Sequence, residues 1–171
     1  ILKKLSLNPN IDDDFIGSKV SINDYVDEIV RSFREISGKK IIVNSDNYLK
    51  KINMQKSTEI VYGLRNFIGN ANKFSNKKVE IFVSSNDVET SVVITDDGPG
   101  FPKDLINKHK LGEPYIRTND EKHISKYGLG LGTFIGKTLL EKNFADLSFN
   151  NKIGGGAEVV IKWKNKDLKK I

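Results

Sequence analysis

The sequence predicts an α+β domain, a two-layer sandwich in which about three helices stack on one face of a mixed five-stranded sheet. Two observations predict this class. Three segments carry apolar residues at helical spacing, and five shorter segments carry the β-branched residues and the alternation that are typical of strands. The length of 171 residues suits one ordinary domain with short appendages. A composition of 37% hydrophobic and 29% charged residues is that of a globular protein, so one layered core is expected.

The first helix is predicted over residues 22–37. Ser21 is expected to be its N-cap, and Gly38 is expected to end it. A short strand, "KKIIVNS" (39–45), follows. The helix face predicted to be buried consists of Ile22, Val26, Ile29, Val30 and Phe33.

The second helix is predicted from about Ser57 to Phe74, and two strands come after it. These strands are "KVEIFVSS" (78–85) and "TSVVITDD" (90–97). Asn86 and Asp87 lie between them as a turn, which indicates an antiparallel hairpin. The inward face of the helix is predicted to consist of Ile60, Leu64, Phe67, Ile68 and Ala71.

The chain closes with a third predicted helix, "GTFIGKTLLEKN" (132–143), and with two strands. The strands are "ADLSFNN" (145–151) and "AEVVIKWK" (157–164), joined by a turn at the three glycines 154–156. Residues 98–127 carry turn residues with little periodicity. A loop of that length inside a compact domain is most often a functional lid.

The ends of the chain are predicted to lie outside the main domain, which we place at residues 21–164. Residues 1–10 have apolar positions at helical spacing up to Pro9, so we expect the last turns of a helix that begins upstream. Residues 11–20 are expected to be an acidic linker, and residues 165–171 a basic, solvated tail. Because the chain does not begin with Met, we expect it to be a fragment.

Composition excludes several classes of protein. There are no cysteines, so neither a disulfide framework nor a thiolate metal site is indicated. No apolar run approaches the roughly 20 residues that cross a bilayer. The net charge of +6 permits nucleic-acid binding, but the lysines are scattered and lack interleaved aromatic residues. We therefore predict no nucleic-acid partner, and a nucleotide's phosphates would also suit a basic domain.

Two amides and an ammonium lie on one stripe of the second helix. Asn66, Asn70 and Lys73 are spaced at i, i+4 and i+7. One interpretation is a solvated stripe. The other is a site for a magnesium nucleotide, because an amide oxygen suits Mg²⁺ and a lysine suits phosphate as a point charge.

The strand at 90–97 ends in Asp96 and Asp97, followed by Gly98, Pro99 and Gly100. A tight turn with a capping aspartate is one interpretation. The other is a base-binding site. A carboxylate there accepts a hydrogen bond from the exocyclic amine of adenine, whereas guanine presents a carbonyl, and bare glycine backbone lets the base lie close.

Two further segments come from the long loop and its end. "LGEPYIRT" (111–118) places an aromatic residue, Tyr115, and a cation, Arg117, in the predicted lid, where they are either core anchors or nucleotide contacts. Gly128, Gly130 and Gly132 alternate just before the third helix. Such a glycine cluster is typical of a loop that lets phosphates approach the amides of a helix start, although flexible glycine loops are common.

The order of these segments resembles the catalytic and ATP-binding domain of sensor histidine kinases, within the GHKL superfamily that includes gyrase- and chaperone-type ATPases. "NFIGNANKF" resembles the N box, "DDGPG" the G1 box, "EPYIRT" the F box and "GLGLG" the G2 box. The resemblance covers roughly residues 20–164 and implies the Bergerat fold. "ILKKLSLNP", "GLRNFIGNANKF" and "FIGKTLLEK" further resemble the redox-responsive RegB/PrrB type of histidine kinase.

The resemblance implies ATP and Mg²⁺ as ligands. It makes Asn70 the magnesium-binding amide, Asp96 the adenine-binding carboxylate, and Lys73 and Arg117 phosphate contacts. The other nucleotide-site positions that it implies are Asn66, Phe74, Gly98, Gly100, Tyr115, Gly128, Leu129, Gly130, Leu131 and Gly132. The sequence departs from the family pattern at Thr133, often aliphatic, and at Ala157, often threonine.

Asn66 stands where hydrolytic relatives have a water-activating glutamate, and an amide is no general base at neutral pH. The resemblance therefore implies phosphoryl transfer to a histidine. His109 and His123 are poor candidates, since neither is on a recognisable amphipathic helix, so we expect the acceptor on an upstream helical hairpin outside this chain. The implied partners are that hairpin and a cognate response regulator, in a homodimeric, membrane-anchored kinase with this domain in the cytoplasm.

Three other functions remain open at this point. An anti-sigma-type protein serine kinase uses the same nucleotide site, but "ILKKLSL" and the acidic linker disfavour it. A non-catalytic nucleotide-gated interaction module is disfavoured because no expected phosphate or metal position is lost. A hydrolytic ATPase of the gyrase kind is disfavoured by Asn66.

Overall fold

A mixed five-stranded sheet is the framework of the protein. The structure, a computed structural model, describes residues 19–46, 50–107, 111–113 and 131–171. The strands follow the order β1-β2-β3-β5-β4 across the sheet. β1 is parallel to β2, and every other pair is antiparallel, so the sheet is mixed as predicted. The strands are β1 (Lys40–Ser45), β2 (Lys78–Ser85), β3 (Glu89–Asp96), β4 (Ala145–Asn151) and β5 (Ala157–Lys164).

Helices pack on one face of this sheet. Inward side chains of β2, β3 and β5 alternate with outward ones, and together with the helices they form one apolar core. Val79, Ile81, Ile94 and Ile161 are at most 1% exposed there. The helices are α1 (Ile22–Arg34), α2 (Thr58–Phe74), α3 (Lys103–Asn107), α4 (Leu131–Lys142) and α5 (Asn165–Leu168).

The predicted α+β class and the predicted hairpins are confirmed. The segments predicted as strands at 78–85, 145–151 and 157–164 are β2, β4 and β5 without a change of bounds. All five residues predicted to face inward on α2 are buried. Among the helices of the described ranges, none is long and apolar enough to cross a membrane.

The prediction that Gly38 ends the first helix is wrong. Ser21 does cap α1, in a reciprocal capping box with Asp24. The helix ends at Arg34, four residues before Gly38. Ile36 is 79% exposed, so nothing holds a further helical turn against the core. The Arg34 guanidinium instead donates to the Ile41 carbonyl and turns the chain into β1.

Two other segments differ from the sequence-based prediction. Residues 98–127 were expected to be irregular, but Lys103–Asn107 form α3. The predicted solvated tail begins with α5, and its Leu168 is fully buried. The side chain of Asn165 accepts from the Thr90 hydroxyl at 2.7 Å and donates to the Asn86 carbonyl at 2.7 Å. The first residues of the tail are therefore part of the folded domain. Its lysines led to the prediction of a solvated segment.

Candidate nucleotide-binding site

α2 carries Asn66 and Asn70 on one stripe beside its buried apolar face. The helix begins after Ser57, whose hydroxyl accepts the N–H of Ile60. Its apolar stripe is fully buried, while Asn66 and Asn70 are half-buried on an adjacent stripe. Both amides therefore lie at the edge of the buried face of α2 and remain partly accessible.

A close contact between α2 and α4 determines what those amides face. A Cβ atom on Gly63 would lie 2.5 Å from Leu140 Cγ, and one on Gly136 would lie 3.1 Å from Asn66 Cβ. The two helices can approach this closely only because both positions are glycine. The start of α4 is thereby brought over the polar stripe of α2, and a Cβ on Gly132 would lie 3.4 Å from Asn66 Oδ1 and 4.0 Å from Asn70 Oδ1.

Both amide nitrogens are bonded within the protein. Asn66 Nδ2 donates to the Tyr62 carbonyl at 2.9 Å, and Asn70 Nδ2 donates to the Thr133 hydroxyl at 3.3 Å. The two oxygens are therefore the atoms left to face the first turn of α4. Amide N–H groups in the first turn of a helix have no helical partner, so this region suits an anion and a cation that accompanies it.

Lys73 and Phe74 lie at the end of α2, next to the turn that follows β3. The Lys73 ammonium is exposed and lies 5.1 Å from the centre of the Phe74 ring. A Cβ on Gly98 would lie 2.3 Å from the Phe74 carbonyl oxygen. The end of α2 and the end of β3 are thus in direct backbone contact, and only glycine at position 98 permits it.

Asp96 is a buried carboxylate, 6% exposed, and its orientation is fixed by the backbone. Its Oδ1 accepts from the N–H of Gly98 at 2.8 Å and from the N–H of Ala157 at 3.2 Å. Among the described residues, no donor is within hydrogen-bond distance of Oδ2. One oxygen of the carboxylate thus holds the group in place and the other remains available to a ligand.

The glycines around Asp96 bring three pieces of backbone together. Gly156 has φ +96°, and a Cβ there would lie 1.9 Å from the Asp96 carbonyl oxygen. Gly100 has φ +77°. The next residue, Phe101, forms two hydrogen bonds with the Asn151 side chain, which accepts from Phe101 N at 2.7 Å and donates to Phe101 O at 2.8 Å. These contacts tie the turn after β3 to the β4–β5 turn.

Asp97 has a different environment from its neighbour. Its carboxylate accepts from the backbone N–H groups of Asn76, Lys77 and Lys78 at 2.8–3.1 Å. Those hydrogen bonds, with that of Lys77 first, hold the pKa of the Asp97 carboxyl below its ordinary value, since they favour the charged form. The group joins the start of β2 to the end of β3.

The structure brings together nine of the predicted site residues in or beside these contacts. Leu131 is the first residue of α4 and Gly132 the second, and the others are Asn66, Asn70, Lys73, Phe74, Asp96, Gly98 and Gly100. Tyr115, Arg117, Gly128, Leu129 and Gly130, like His109 and His123, lie outside the described residues. The sequence-based prediction missed Gly156 and Asn151 and the bonds that Thr133 and Ala157 make. The three glycines at 154–156 were the available signal, because such a run indicates positive φ as well as a turn.

The candidate ligands for a cation beside α2 are the amide oxygens of Asn66 and Asn70. Within the described ranges, no group of three or more His, Cys, Asp or Glu side chains is placed to hold a metal ion. Neutral amide oxygens are weak ligands singly but suit Mg²⁺, which keeps waters and phosphate oxygens around it. The residues present therefore fit a cation that arrives with a nucleotide.

Comparison with known proteins shows that this fold is that of an ATP-binding domain and gives its family. Residues 55–167 match the family described as histidine kinase-, DNA gyrase B-, and HSP90-like ATPase, and the chain belongs to it. Sensor histidine kinase RegB of Cereibacter sphaeroides is 38% identical over an alignment of 98 residues that covers 54% of this chain and 21% of RegB. A putative NtrY-like sensor histidine kinase of Rickettsia conorii is 34% identical over 91 residues, 53% of this chain and 14% of that protein. The chain thus spans about a fifth or less of these relatives.

Solved structures show the same fold. The mycobacterial sensor histidine kinase MprB superposes with a TM-score of 0.67 over 87% of this chain and 97% of that one, at 22% identity. The full-length ShkA kinase, solved in complex with AMPPNP, superposes with a TM-score of 0.68 over 85% of this chain and 30% of that one, also at 22% identity. The Bergerat-type sandwich predicted from the sequence is confirmed by these neighbours.

Proposed function

We propose that this domain binds Mg-ATP between α2 and the end of β3 and transfers the γ-phosphoryl group to a histidine on a helical hairpin of the same sensor kinase. One observation carries the nucleotide part. Asn66 and Asn70 are both bonded through nitrogen, which leaves two oxygens facing the start of α4. Support for the kinase part comes from relatives named as sensor histidine kinases.

Asp96 is the proposed adenine contact. Its Oδ1 is bonded to two backbone N–H groups, so Oδ2 has a fixed direction and can accept from the exocyclic amine of adenine. A guanine carbonyl at that place would leave two acceptors facing each other in a buried site, which costs binding free energy. Ala157 has no hydroxyl and takes part through its N–H alone.

Asn70 is the proposed magnesium ligand, and Asn66 the second amide beside the phosphates. Mg²⁺ would neutralise charge on the β- and γ-phosphates, as in other phosphoryl-transfer sites. The exposed Lys73 ammonium and the first-turn amides of α4 add positive potential for phosphate. No residue of this set is a base for water, so ATP bound here is expected to hydrolyse slowly.

Transfer requires a nucleophile that the site itself does not supply. A neutral imidazole nitrogen attacks the γ-phosphorus, a P–N bond forms, and the bond to the bridging oxygen breaks with its electron pair leaving on ADP. We place the acceptor on a hairpin preceding this domain and the next acceptor on a cognate response regulator. A homodimeric kinase anchored in the membrane, with this domain on the cytoplasmic side, is the arrangement that we propose for the whole protein.

Nucleotide binding is tested by calorimetric titration of the chain with AMPPNP in Mg²⁺. We expect saturable binding with one site. D96A is expected to abolish measurable binding, and D146A, on the outward face of β4, serves as the matched control. Binding that is unchanged in D96A would contradict the assignment of the base site.

Transfer is tested with γ-labelled ATP and a fragment that carries the upstream hairpin. We expect the label on the hairpin only when both are present, and we expect it to be lost in acid, as phosphohistidine is. Strong acid-labile labelling of the chain alone would refute the upstream acceptor. Acid-stable label on a protein serine would favour the serine-kinase alternative, and rapid release of free phosphate would favour a hydrolytic ATPase.

A further inference from the structure

Thr133 contacts the candidate metal ligand directly. It is the third residue of α4, and its hydroxyl oxygen lies 3.3 Å from Asn70 Nδ2. A threonine hydroxyl oxygen has lone pairs that can accept a hydrogen bond. Here it accepts from the Asn70 amide and so joins α4 to α2.

The orientation of an asparagine amide decides whether it can bind a cation. The oxygen carries lone pairs, whereas the NH2 group presents two donors and repels a cation. The terminal torsion of asparagine is broad, so an unrestrained amide samples orientations that direct nitrogen toward the ligand. A residue that accepts from Nδ2 removes those orientations.

We propose that Thr133 is a positioning residue that accepts a hydrogen bond from Asn70 Nδ2 and so directs Asn70 Oδ1 toward the divalent cation of Mg-ATP. The proposal rests on the proposed function, since it concerns the same site. Among the described residues, Thr133 provides the one acceptor bonded to Asn70 Nδ2. The neighbouring Asn66 has the same arrangement with a backbone acceptor, Tyr62 O, at 2.9 Å.

An aliphatic residue at position 133 would leave the Asn70 amide without this restraint. The cation would then select one orientation out of several, and that selection costs affinity for the metal-bound nucleotide. Binding of metal-free nucleotide would not change, because Asn70 has no cation to meet. The dependence of nucleotide affinity on Mg²⁺ therefore separates positioning from a general effect on the fold.

The experiment measures the dissociation constant of AMPPNP in Mg²⁺ and in EDTA. The ratio of the value in EDTA to the value in Mg²⁺ gives the gain in affinity that Mg²⁺ provides. T133V keeps the shape and removes the hydroxyl. We expect it to reduce the ratio by about two- to tenfold, the range for one net hydrogen bond. Affinity in EDTA is expected to stay at the wild-type value. The melting temperature of the free chain is expected to fall by only about 2–4 °C, because the same hydrogen bond also joins α2 to α4. T133S, which keeps a hydroxyl, is expected to restore the ratio.

Two other variants complete the design. T138V makes the same substitution at an exposed position of α4 and is expected to leave the ratio unchanged. N70A is expected to bring the ratio close to one, and N70A/T133V is expected to equal N70A, because Thr133 acts only through Asn70. Should T133V fail to fold, T133A also lacks the hydroxyl and carries the same expectations.

Each outcome bears on a different statement. If the ratio of T133V equals that of the wild type while the ratio of N70A falls to about one, the positioning role is overturned and the metal site stands. An equal loss of affinity in Mg²⁺ and EDTA for T133V also overturns it. An unchanged ratio in N70A contradicts the proposed metal ligand itself, and with it the basis of this inference.

Discussion

Asp96 and Asp97 are adjacent carboxylates at the end of one strand, and they differ in burial and in hydrogen-bond partners. Asp96 is buried, has two backbone donors on one oxygen, and has no donor from the described residues on the other. Asp97 is half-exposed and is bonded to three successive backbone N–H groups. Exposure usually suggests ligand contact and burial suggests structure, but here the bonded, half-exposed group is structural. The difference is the reason we propose Asp96, which has an unused acceptor oxygen, and not the more exposed Asp97 as the ligand contact.

The largest effect is expected from disturbing the backbone of Asp96. G156A places a Cβ against the Asp96 carbonyl at a residue with φ +96°, so both strain and overlap arise. We expect the free energy of unfolding to fall by about 2–4 kcal/mol, measured by urea denaturation. G154A is the matched control, with φ +93° and nothing within 4 Å of its Cβ, and should cost only about 1–2 kcal/mol. Equal losses in the two variants would contradict the close approach at Gly156.

The second effect is on binding and concerns the free oxygen of Asp96. In D96N, the amide oxygen still accepts from the N–H groups of Gly98 and Ala157, so the NH2 group faces the base. We expect ATP affinity to fall by about 10- to 100-fold, the range for a hydrogen bond to a charged group. GTP should lose less, because its carbonyl accepts from the amide. Titration with both nucleotides tests this, and an equal loss for the two would contradict base contact by this group.

The third effect is on stability and concerns Asp97. D97N keeps one acceptor oxygen but loses the charge that strengthens the bonds to Lys77 and Lys78. We expect a loss of roughly 1 kcal/mol, reduced by solvent screening at this half-exposed site. Nucleotide affinity should be unchanged. A change in affinity without a change in stability would reverse the roles given to the two aspartates.

The smallest effect is a pH dependence that follows from the Asp97 pKa. Because the folded-state pKa lies below the ordinary value of 3.8, the ionised group contributes stability that is fully present above that value. The contribution is lost as the pH falls from there through the folded-state pKa. Acid denaturation of the wild type and D97N should therefore converge in that window. A stability difference that persists at lower pH would show that the loss in D97N has another cause.

The sequence predicted the parts of the fold that local pattern determines. The alternating strand at 78–85 and the apolar stripe of α2 need no long-range information, and both are confirmed. The end of α1 was mispredicted because Gly38 was taken as the helix terminus. The helix ends at Arg34, before the exposed Ile36, where its contact with the core ends. α5 was missed because a single apolar residue, Leu168, anchors it among lysines. Four residues are too few for a periodic pattern.

The sequence predicted which residues form the candidate site, but not which atom of each side chain faces it. Spacing placed Asn66 and Asn70 on one stripe, and the assignment of Asn70 and Asp96 as ligand contacts stays a prediction. Which amide atom faces the start of α4 depends on Tyr62 O and the Thr133 hydroxyl, one from the same helix and one from another. Thr133 was noted only as a departure from pattern, since the α2–α4 approach that makes it a partner depends on tertiary contact.

The buried seat of Leu168 has a practical consequence for anyone who engineers this domain. A gene truncated after the last strand would encode a protein that lacks the buried Leu168 side chain in its core and the hydrogen bond from Thr90 to Asn165. Reporter tags or fused modules should accordingly be attached beyond position 168, where Lys169 and Lys170 are exposed.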